Sequence, residues 1–594
     1  MRKLSNQEAM DDLLHTQEIQ FMLSDINHQN LEDIINFIKS SVFIRDKYSL
    51  EKLLSTLRVM ISIRPLCINL YLQVLLSISD YIARFYTSDD LLLFFSKIFC
   101  VIAFLFENGL ISIQSIQKKS RYNIQLFKMF YSEIQNNDAK FFNEILFEYP
   151  HLKEYLNSID ETLHKMYRIA GMNEDEVASV IRKDDLETFM TMINEQKINF
   201  YYEIPHSQYD HVKFINSSHK RPSVLEYSAF FGSVNIFKYI YSHNISLSDT
   251  LPRFAVAGAN SEIIHLCIEK GQNFSKNCMN VAIQFHRYQV CEFLNMTIRQ
   301  PFRVKHFMRT LKFYNIHIFL KILPLFIDQP NITDKFGDWT LLHCACNNGN
   351  LDMVQFILSL DGIDKNKVVH PEKSDDNSYH MLSGINIMHS SAREGQLNIL
   401  KYLADIENMP VNSRDNYDNL PVHFAASSGH PHLIRYFIDD RGVDINSKNM
   451  FGWTPLYVAV KNRRNEVIST LLKYDGLDIN AKNNHGKTAL CQVVKWNHIG
   501  LCKTFIKNGA SVTTTDNEGW TILHYACAFS SLDTIKFLIN LPAVDLNVRD
   551  INGMTPILVA ASEGRRKIVS YLEGVDAIDK KVLDKNGEGV YDKL

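Results

Sequence analysis

Apolar residues in the second half of the chain fall into short blocks that recur at a nearly constant interval. Seven such blocks lie between Gly337 and Ala561, and each centres on a position that is most often histidine. The residues at this position are His343, His389, His423, Tyr457, Cys491, His524 and Leu558, at steps of 46, 34, 34, 34, 33 and 34 residues. A fixed period of this size indicates a stack of similar structural units.

Each unit is predicted to contain a tight turn followed by two short helices. The turns are rich in Asn, Asp and Gly, which tolerate the positive φ of tight turns. Thr454 then suits the N-cap of a helix and Pro455 its first position, as do Thr555 and Pro556. The second helix has apolar residues at i, i+1, i+3 and i+4. Two short helices cannot bury such a stripe alone, so neighbouring units must stack.

The phrase Thr454-Pro455-Leu456-Tyr457-Val458-Ala459 and its equivalents resemble the Thr-Pro-Leu-His-x-Ala signature of the ankyrin repeat. The resemblance runs from about Thr333 to Asp584. It implies an ankyrin-repeat α-solenoid with short β-hairpin loops at 326–594, with about seven clear repeats and a C-terminal stub. It also implies that the recurring histidine is structural and ties its helix start to the neighbouring turn.

The first 170 residues differ sharply from the repeats. They contain one glycine, Gly109, whereas 18 of the 23 glycines lie at or after Gly337. Helical spacing of apolar residues predicts helices at Asn30–Phe43, Ser49–Ile63, Ile68–Tyr86, Leu91–Asn108 and Tyr122–Gln135. No period is visible, so 1–170 is predicted to be an irregular helical domain.

The middle of the chain, 171–325, is predicted to be a divergent ankyrin-like domain of unknown function. Ser223–Ile240 has the helix–Gly–helix order of a repeat unit with a degraded signature. Similar segments follow at about 26–28 residues, which shortened hairpins explain. This region resembles an uncharacterised domain that precedes ankyrin arrays in large protist protein families. The predicted fold class of the whole chain is therefore all-α.

Composition and charge narrow the functional classes. A net charge of −3 gives no long-range attraction to nucleic acid or anionic lipid. Ten scattered cysteines and an N-terminus without signal-peptide features favour reduced thiols and a cytoplasmic location, with the nucleus as the alternative. The most apolar stretch, Leu91–Leu110, is interrupted by charges and is too short to span a bilayer, so we expect a buried helix and no membrane insertion.

Motifs for catalysis or cofactor binding have simpler explanations within the repeat. Ala481–Thr488 fits a relaxed P-loop, but its Gly-x-Thr is in frame with the turns of neighbouring repeats. The histidines recur once per repeat, about 10 Å apart, which is too far for shared metal coordination. Cys344-Ala345-Cys346 lacks redox spacing and indicates packing. We therefore expect no enzyme activity, no cofactor and no metal.

One position in each repeat is a candidate for partner binding. Four residues before the histidine position, the chain places Trp339, Trp453, Lys487, Trp520 and Met554, among others. The ankyrin resemblance places this position near the hairpin and the concave face, where protein partners dock. Tryptophan is enriched at interfaces, but it also covers turns well. Both interpretations, a docking row and a hairpin cover, remain open from sequence.

The 46-residue step holds an insertion of about 12 residues within Asp361–Ser383, predicted to be an exposed loop. It could act in recognition or be an inert insertion. The function that the sequence favours is a non-catalytic scaffold or adaptor that binds protein partners through the concave ankyrin surface. The alternatives are an enzyme with activity in the N-terminal helices and a structural linker to cytoskeleton or membrane skeleton. The identity of the partner is not encoded in a readable way.

Overall fold

The computed structural model of the protein describes residues 3–216, 221–274, 276–329, 331–333, 339–369 and 383–594. Within these residues the secondary structure is helical, which confirms the predicted all-α class. The extended pairings in this part of the chain include two isolated bridges, Glu203 with Ser223 and Val369 with Ile385. The loops that the ankyrin resemblance implies are accordingly tight turns rather than extended hairpins.

The chain divides into two compact units. One comprises Leu4–Asp334 with Asp352–Ile363, and the other comprises Met1–Lys3, Lys335–Leu351 and Asp364–Leu594. The predicted boundaries near residues 170 and 325 both fall inside the first of these units. The division into three domains stays a prediction.

The N-terminal part of the first unit is an irregular set of helices. Their bounds are Asn6–Ser24, Leu31–Ser40, Lys47–Ile63, Ile68–Ser77, Ser79–Phe85, Ser88–Phe94, Phe99–Glu107, Ile113–Ser120, Ile124–Met129, Tyr131–Asn137, Ala139–Glu148, His151–Asn157 and Glu161–Ala170, with 3-10 turns at Val42–Ile44 and Pro65–Cys67. The predicted helices at 68–86, 91–108 and 122–135 are each broken into two. The longest helix, Asn6–Ser24, was not predicted, although Ser5 and Glu8 form a capping box at its start.

The apolar stretch near residue 100 forms the buried helix that its sequence predicts. Cys100, Val101, Ile102, Ala103 and Leu105 of helix Phe99–Glu107 are all buried. In the described part of the chain, no single helix is both long and apolar enough to cross a membrane. The bent pair Lys47–Ile63 and Pro65–Ser77 meets those requirements only when its two helices are counted together.

The rest of the first unit is built from helix pairs. They are Glu176–Arg182 with Leu186–Asn194, Val224–Phe231 with Val234–Ser242, Leu251–Gly258 with Ser261–Glu269, Lys276–Gln284 with Tyr288–Met296, and Val304–Lys312 with Ile316–Ile322, followed by a 3-10 turn at Leu323–Leu325. The first helices of successive pairs pack on one another. Gly232 ends the first helix of its pair at φ 71°, as the sequence predicts, and Ala259 takes this role in the next pair at φ 59°.

Helix Asn6–Ser24 packs against the last of these pairs. The Gln20 amide donates to the Tyr314 carbonyl at 2.8 Å, and Gln17 bonds the His317 ring at 2.9 Å. Phe319 of the same pair contacts Phe356 with ring centroids 6.0 Å apart. A chain cut at residue 325 would therefore break an aromatic contact inside the first unit.

The seven predicted repeats are seven helix pairs, numbered here as repeats 1 to 7. Their first helices are Leu341–Asn348, Ile387–Glu394, Pro421–Ser428, Pro455–Lys461, Ala489–Lys495, Ile522–Phe529 and Pro556–Ser562. Their second helices are Leu351–Ser359, Leu397–Asp405, Pro431–Arg435 continued by a π-helical turn at Tyr436–Asp440, Asn465–Leu471, Ile499–Lys507, Leu532–Ile539 and Arg566–Glu573. A short helix, Val590–Lys593, stands where an eighth first helix would begin.

Backbone hydrogen bonds join each turn to the turn of the preceding repeat, and we call them the turn ladder. In the described residues the donor and acceptor pairs are Asn416 N–H to Ser383 O, Met450 to Tyr417, Asn484 to Phe451, Asn517 to His485, Ile551 to Glu518 and Lys585 to Asn552, at 2.9 to 3.1 Å. The steps along the ladder match the repeat period. Successive repeats are therefore held in register at their turns.

A side-chain oxygen closes each turn of the ladder. The Asn483 side-chain oxygen accepts the backbone N–H groups of His485 and Lys487 at 2.9 and 3.0 Å. The backbone N–H of Asn483 donates to the Lys487 carbonyl at 3.0 Å. Asp415, Asn449, Asp516, Asp550 and Asp584 do the same in the other turns. This is why the sequence places Asn or Asp at this position, since short polar side chains mimic a backbone turn.

The recurring histidine ties neighbouring repeats together, as the ankyrin resemblance implies. His423 Nδ1 accepts the Leu420 N–H at 3.1 Å, which leaves the proton on Nε2. Nε2 then donates to the carbonyls of Ser447 and Trp453 in the next turn, both at 3.1 Å. His389 and His524 repeat this geometry. Because Nδ1 can accept a hydrogen bond only in a neutral ring, each of these rings must be neutral, with its proton on Nε2.

Acid is expected to weaken the array through these histidines. Burial lowers the pKa of His343, His389 and His423 to about 4, below the ordinary value of about 6.5. The unfolded chain therefore binds protons first as the pH falls. Stability should be complete above about pH 6.5 and should be lost towards pH 4, by about 1.4 kcal/mol per histidine for each pH unit. Urea unfolding of the full chain between pH 7.5 and 4.5 measures this.

His423→Leu is the matched variant for this titration, because Leu558 holds the same position in repeat 7. We expect it to be less stable than the wild type at pH 7.5, since the ties to the next turn are lost. Its stability should nevertheless fall less steeply with acid. Equal slopes for the two proteins would show that His423 is not a buried neutral ring.

The ladder also constrains the glycine of a turn, as Gly486 shows. Gly486 has φ 74°, and a Cβ there would lie 2.7 Å from the Asn517 backbone nitrogen, a ladder donor. Gly509 has φ 87° with nothing within 4 Å of its Cβ position. Alanine costs about 1–2 kcal/mol of left-handed strain at both sites, but only Gly486→Ala displaces the ladder. We expect its free energy of unfolding to be lower than that of Gly509→Ala by about 1–2 kcal/mol. Equal losses in urea titrations would contradict the ladder.

Candidate protein-binding surface

The five predicted binding residues lie at equivalent places, immediately before the first helix of a repeat. They are Trp339, Trp453, Lys487, Trp520 and Met554, and all five are half-buried. We call the last four, which come from the consecutive repeats 4 to 7, the hairpin row. At about 10 Å per repeat the row spans about 30 Å, enough for one face of a small domain.

Hydrogen bonds fix the backbone of the hairpin row on both sides. The Trp453 N–H donates to the Asn449 side chain at 3.0 Å, and its carbonyl accepts from His423 Nε2 at 3.1 Å. Met554 is held in the same way, and its carbonyl accepts from His524 at 3.1 Å. The row therefore belongs to the rigid part of each repeat, which reduces the ordering that partner binding would require.

Trp453 is the centre of an aromatic cluster in repeat 4. Its ring stacks on Phe451 at 4.8 Å and on Tyr457 at 5.8 Å between centroids, with interplanar angles of 30° and 19°. The Lys461 ammonium lies 3.7 Å from the Trp453 ring centroid. Tyr457 and Lys461 are four residues apart on one side of the first helix, and Trp453, just before that helix, contacts both.

Trp520 and Lys487 meet at a second aromatic cluster, in repeats 5 and 6. The Tyr525 ring lies 5.2 Å from the Trp520 ring, and the Lys487 ammonium is 5.4 Å from the same Tyr525 centroid. Phe529 stacks on Tyr525 at 6.5 Å, and the Lys495 ammonium lies 4.5 Å above Phe529. The structure thus brings two of the predicted residues to one ring.

The tryptophans also serve their own hairpins. Trp520 Nε1 donates to the Asp550 carboxylate of the next turn at 3.0 Å. Trp339 packs edge-on against His343 at 5.8 Å, and the Arg393 guanidinium lies 5.3 Å from the Trp339 ring. The rings of Trp339, Trp453 and Trp520 are each half-buried, so packing uses part of each ring and leaves part accessible. The role of the row in docking stays a prediction.

Sequence reasoning missed half of the surface around the hairpin row. Tyr457, Tyr525, Phe529, Lys461 and Lys495 belong to first helices and complete the two clusters. Phe529 is 43% exposed, whereas Tyr457 and Tyr525 are buried. The signal was present as the helical spacing that links Trp453 to Tyr457 and Lys461. The clusters themselves depend on contacts between repeats, which no spacing within one repeat reveals.

The segment that fits a relaxed P-loop is an ordinary turn of the ladder. The Asn483 N–H closes it onto the Lys487 carbonyl at 3.0 Å, and Thr488 is the N-cap of the seven-residue helix Ala489–Lys495. In the described chain, no group of three or more His, Cys, Asp and Glu side chains could hold a metal ion. Burial raises the pKa of Cys346 to about 12, which leaves its thiol protonated and unreactive at neutral pH.

The insertion at 361–383 is described only at its edges. Residues 370–382 lie outside the described residues. At its flanks the Val369 N–H donates to the Ile385 carbonyl at 2.9 Å, and the Gly384 N–H donates to the Val369 carbonyl at 2.8 Å. The two ends of the insertion are therefore joined at its base. Its role in recognition stays a hypothesis.

Comparison with known families assigns two parts of the chain. Residues 308–415, 366–449, 422–516 and 490–584 match ankyrin repeats, and residues 241–322 match a domain of unknown function. The second match covers most of the divergent helix pairs upstream of the repeats. Both matches agree with the helix pairs of the structure.

Two relatives are named as ankyrin-repeat proteins. A human protein, ankyrin repeat and SOCS box protein 3, is 30% identical over 77 residues, which are 13% of this chain and 15% of the human one. A putative ankyrin repeat protein of Rickettsia bellii (strain RML369-C) is 31% identical over 85 residues, which are 14% of this chain and 88% of the bacterial one. With this match, the repeat signature and the seven stacked helix pairs, the chain belongs to the ankyrin-repeat family.

Proposed function

We propose that this protein is a non-catalytic scaffold or adaptor that binds a protein partner through the concave surface of its ankyrin repeats, centred on the hairpin row. Ankyrin repeats are a protein–protein interaction module, which supports this function in general terms. The specific support is that side chains of the row project from a backbone fixed by the turn ladder and the histidine ties. Rigid, half-exposed aromatic side chains are typical of binding hot spots.

Two finer points accompany the proposal. The helix pairs at 241–322 directly precede the repeats, and this order supports membership in the large protist families in which such a domain precedes an ankyrin array. We also propose that no cofactor is required, because each candidate motif is explained by its place in a repeat. Enzyme activity in the N-terminal helices and a cytoskeletal linker role remain alternatives, and neither is favoured by a particular feature of the described residues.

Trp453→Ala tests the hairpin row. We expect it to weaken a partner's binding about tenfold or more, because truncation of a central aromatic anchor costs about 2 kcal/mol. The measurement has two steps: partners are captured by the wild-type full chain from cells that express it, and the affinity of each captured partner is then measured by calorimetry. The melting temperature should change little, since the ring remains partly exposed.

Trp496→Ala is the matched control, because Trp496 is also half-buried but lies outside the row, 5.2 Å from the Arg463 guanidinium. It should bind the partner as the wild type does. Trp520→Phe keeps a ring beside Tyr525 and loses only the bond to Asp550, so it should bind more tightly than Trp520→Ala. If Trp453→Ala and Trp520→Ala melt early yet bind normally once folded, the row is only a cover for its hairpins.

A further inference from the structure

Charge is distributed unequally between the two sets of helices in the array. In the first helices of the seven repeats, all of them described, the charged residues are Arg393, Glu394, Lys461 and Lys495. The second helices carry seven basic and seven acidic residues. Arg393 and Glu394 form an ion pair at 3.0 Å. The lysines are thus left as an unbalanced positive charge on a chain whose net charge is −3.

Lys461, Lys495 and Lys487 of the hairpin row form a group that we call the lysine triad. Each ammonium lies over an aromatic ring, at 3.7 Å for Lys461, 5.4 Å for Lys487 and 4.5 Å for Lys495. In the described part of the chain, no carboxylate lies within ion-pair distance of any of the three. The rings hold the ammonium groups in place without neutralising them.

We propose that the lysine triad binds an acidic segment of the protein partner, whose carboxylates face the three ammonium groups and whose apolar side chains contact Phe529 and the exposed part of Trp453. This inference rests on the proposed function and specifies the chemistry of the partner. A carboxylate would form charge-assisted hydrogen bonds to ammonium groups that already lie in fixed positions. Burial lowers the pKa of Lys461, and an anion beside it would stabilise its charged form.

The geometry also sets the spacing of the acidic residues. Lys461 belongs to repeat 4, whereas Lys487 and Lys495 belong to repeat 5, and repeats lie about 10 Å apart. An extended segment in the polyproline II conformation rises about 3.1 Å per residue with three residues per turn, so every third carboxylate faces the same side, about 9 Å apart. A helical segment rises about 1.5 Å per residue and would need about seven residues between them. The aromatic clusters of Trp453 and of Tyr525 lie one after the other along the direction in which the repeats stack. This arrangement favours the extended form, because an extended segment can contact both clusters in turn.

Clustered lysines and aromatic rings can also bind single-stranded nucleic acid, but here the surroundings argue against it. Stacking of bases requires open ring faces, and Tyr525 is only 5% exposed, between Trp520, Phe529 and the Lys487 ammonium. The exposed Glu518 in the turn of repeat 6 would repel a continuous line of phosphates. Discrete carboxylates on a peptide can avoid this position.

Fluorescence polarisation with the full chain tests the inference. The probes are a labelled 15-residue peptide with Glu at every third position and Leu and Ser between, its counterpart with Gln in place of Glu, and a labelled 15-mer of single-stranded oligo(dT). We expect the Glu peptide to bind at least tenfold more tightly than the Gln peptide at 50 mM NaCl. The difference should shrink at 300 mM NaCl, because salt screens exposed charges.

Two triple variants place the binding on the chain. The triad variant combines Lys461→Gln, Lys487→Gln and Lys495→Gln. It should bind the Glu peptide at least tenfold more weakly than the wild type does and bind the Gln peptide with unchanged affinity. The matched control combines Lys503→Gln, Lys507→Gln and Lys536→Gln on the second helices, where Lys503 and Lys536 also lie over rings, at 5.4 and 5.5 Å. The control should bind within twofold of the wild type. Melting curves of both variants show that they are folded.

Several results would overturn the inference. They are equal affinity for the two peptides, no measurable binding of either, equal losses in the triad and control variants, or tighter binding of oligo(dT) than of the Glu peptide. The proposed function fails differently. Suppose that a captured partner no longer binds Trp453→Ala but binds the triad variant normally. The scaffold function would then stand, and the proposed acidic segment would be refuted. A partner insensitive to both changes would refute both.

Discussion

The turn ladder is the interaction on which the rest of the array depends. Two short helices have too little apolar surface to be stable alone, so each repeat needs its neighbours in one defined register. Packing between helices is tolerant of small shifts, whereas hydrogen bonds are not. The ladder supplies six such bonds in the described residues, each between a turn and the preceding turn. It converts a stack of similar helix pairs into a surface with fixed spacing.

The candidate binding surface depends on the same bonds. Where the repeat before carries a histidine, that ring holds the carbonyl of the residue that ends the turn, as for Trp453 with His423 and Met554 with His524. Tyr457 and Cys491 replace the histidine before Lys487 and Trp520, whose carbonyls accept the backbone N–H of Asn483 and Asp516 in their own turns. The residue that ends the turn is the one whose side chain enters the hairpin row. The bonds that set the register therefore also position the candidate binding surface. Under the proposed function, stability and recognition are coupled, and a variant that disturbs a turn should disturb both.

Much of the repeat architecture could be predicted from the sequence because each feature is local. The period, the Asn or Asp of each turn, the Thr-Pro helix starts and the helix ends all reflect backbone demands within a few residues. Gly349, Gly395 and Gly429 end their helices at positive φ, and Arg463 and Asn497 take the same conformation where glycine is missing. Ser530 does not, at φ −97°, and the helix there ends in extended backbone.

The remaining features are not local, and this is why the sequence did not reveal them. Helix Asn6–Ser24 contacts residues almost 300 positions away through Gln20 and Tyr314. The lysine triad is visible only when Lys487 and Lys495 of repeat 5 are seen over the rings of repeat 6. Periodicity within one element carries no information on such pairs.

Hydrogen exchange at the turns tests the central claim most directly. The ladder donors Met450, Asn484, Asn517, Ile551 and Lys585 all have exposed side chains, yet their backbone N–H groups are bonded to the preceding turn. If the ladder sets the register, these amides should exchange as slowly as the amides of the first helices in the same repeats. Exchange at the rate of an unstructured peptide, with the helices still protected, would show that helix packing alone holds the array together.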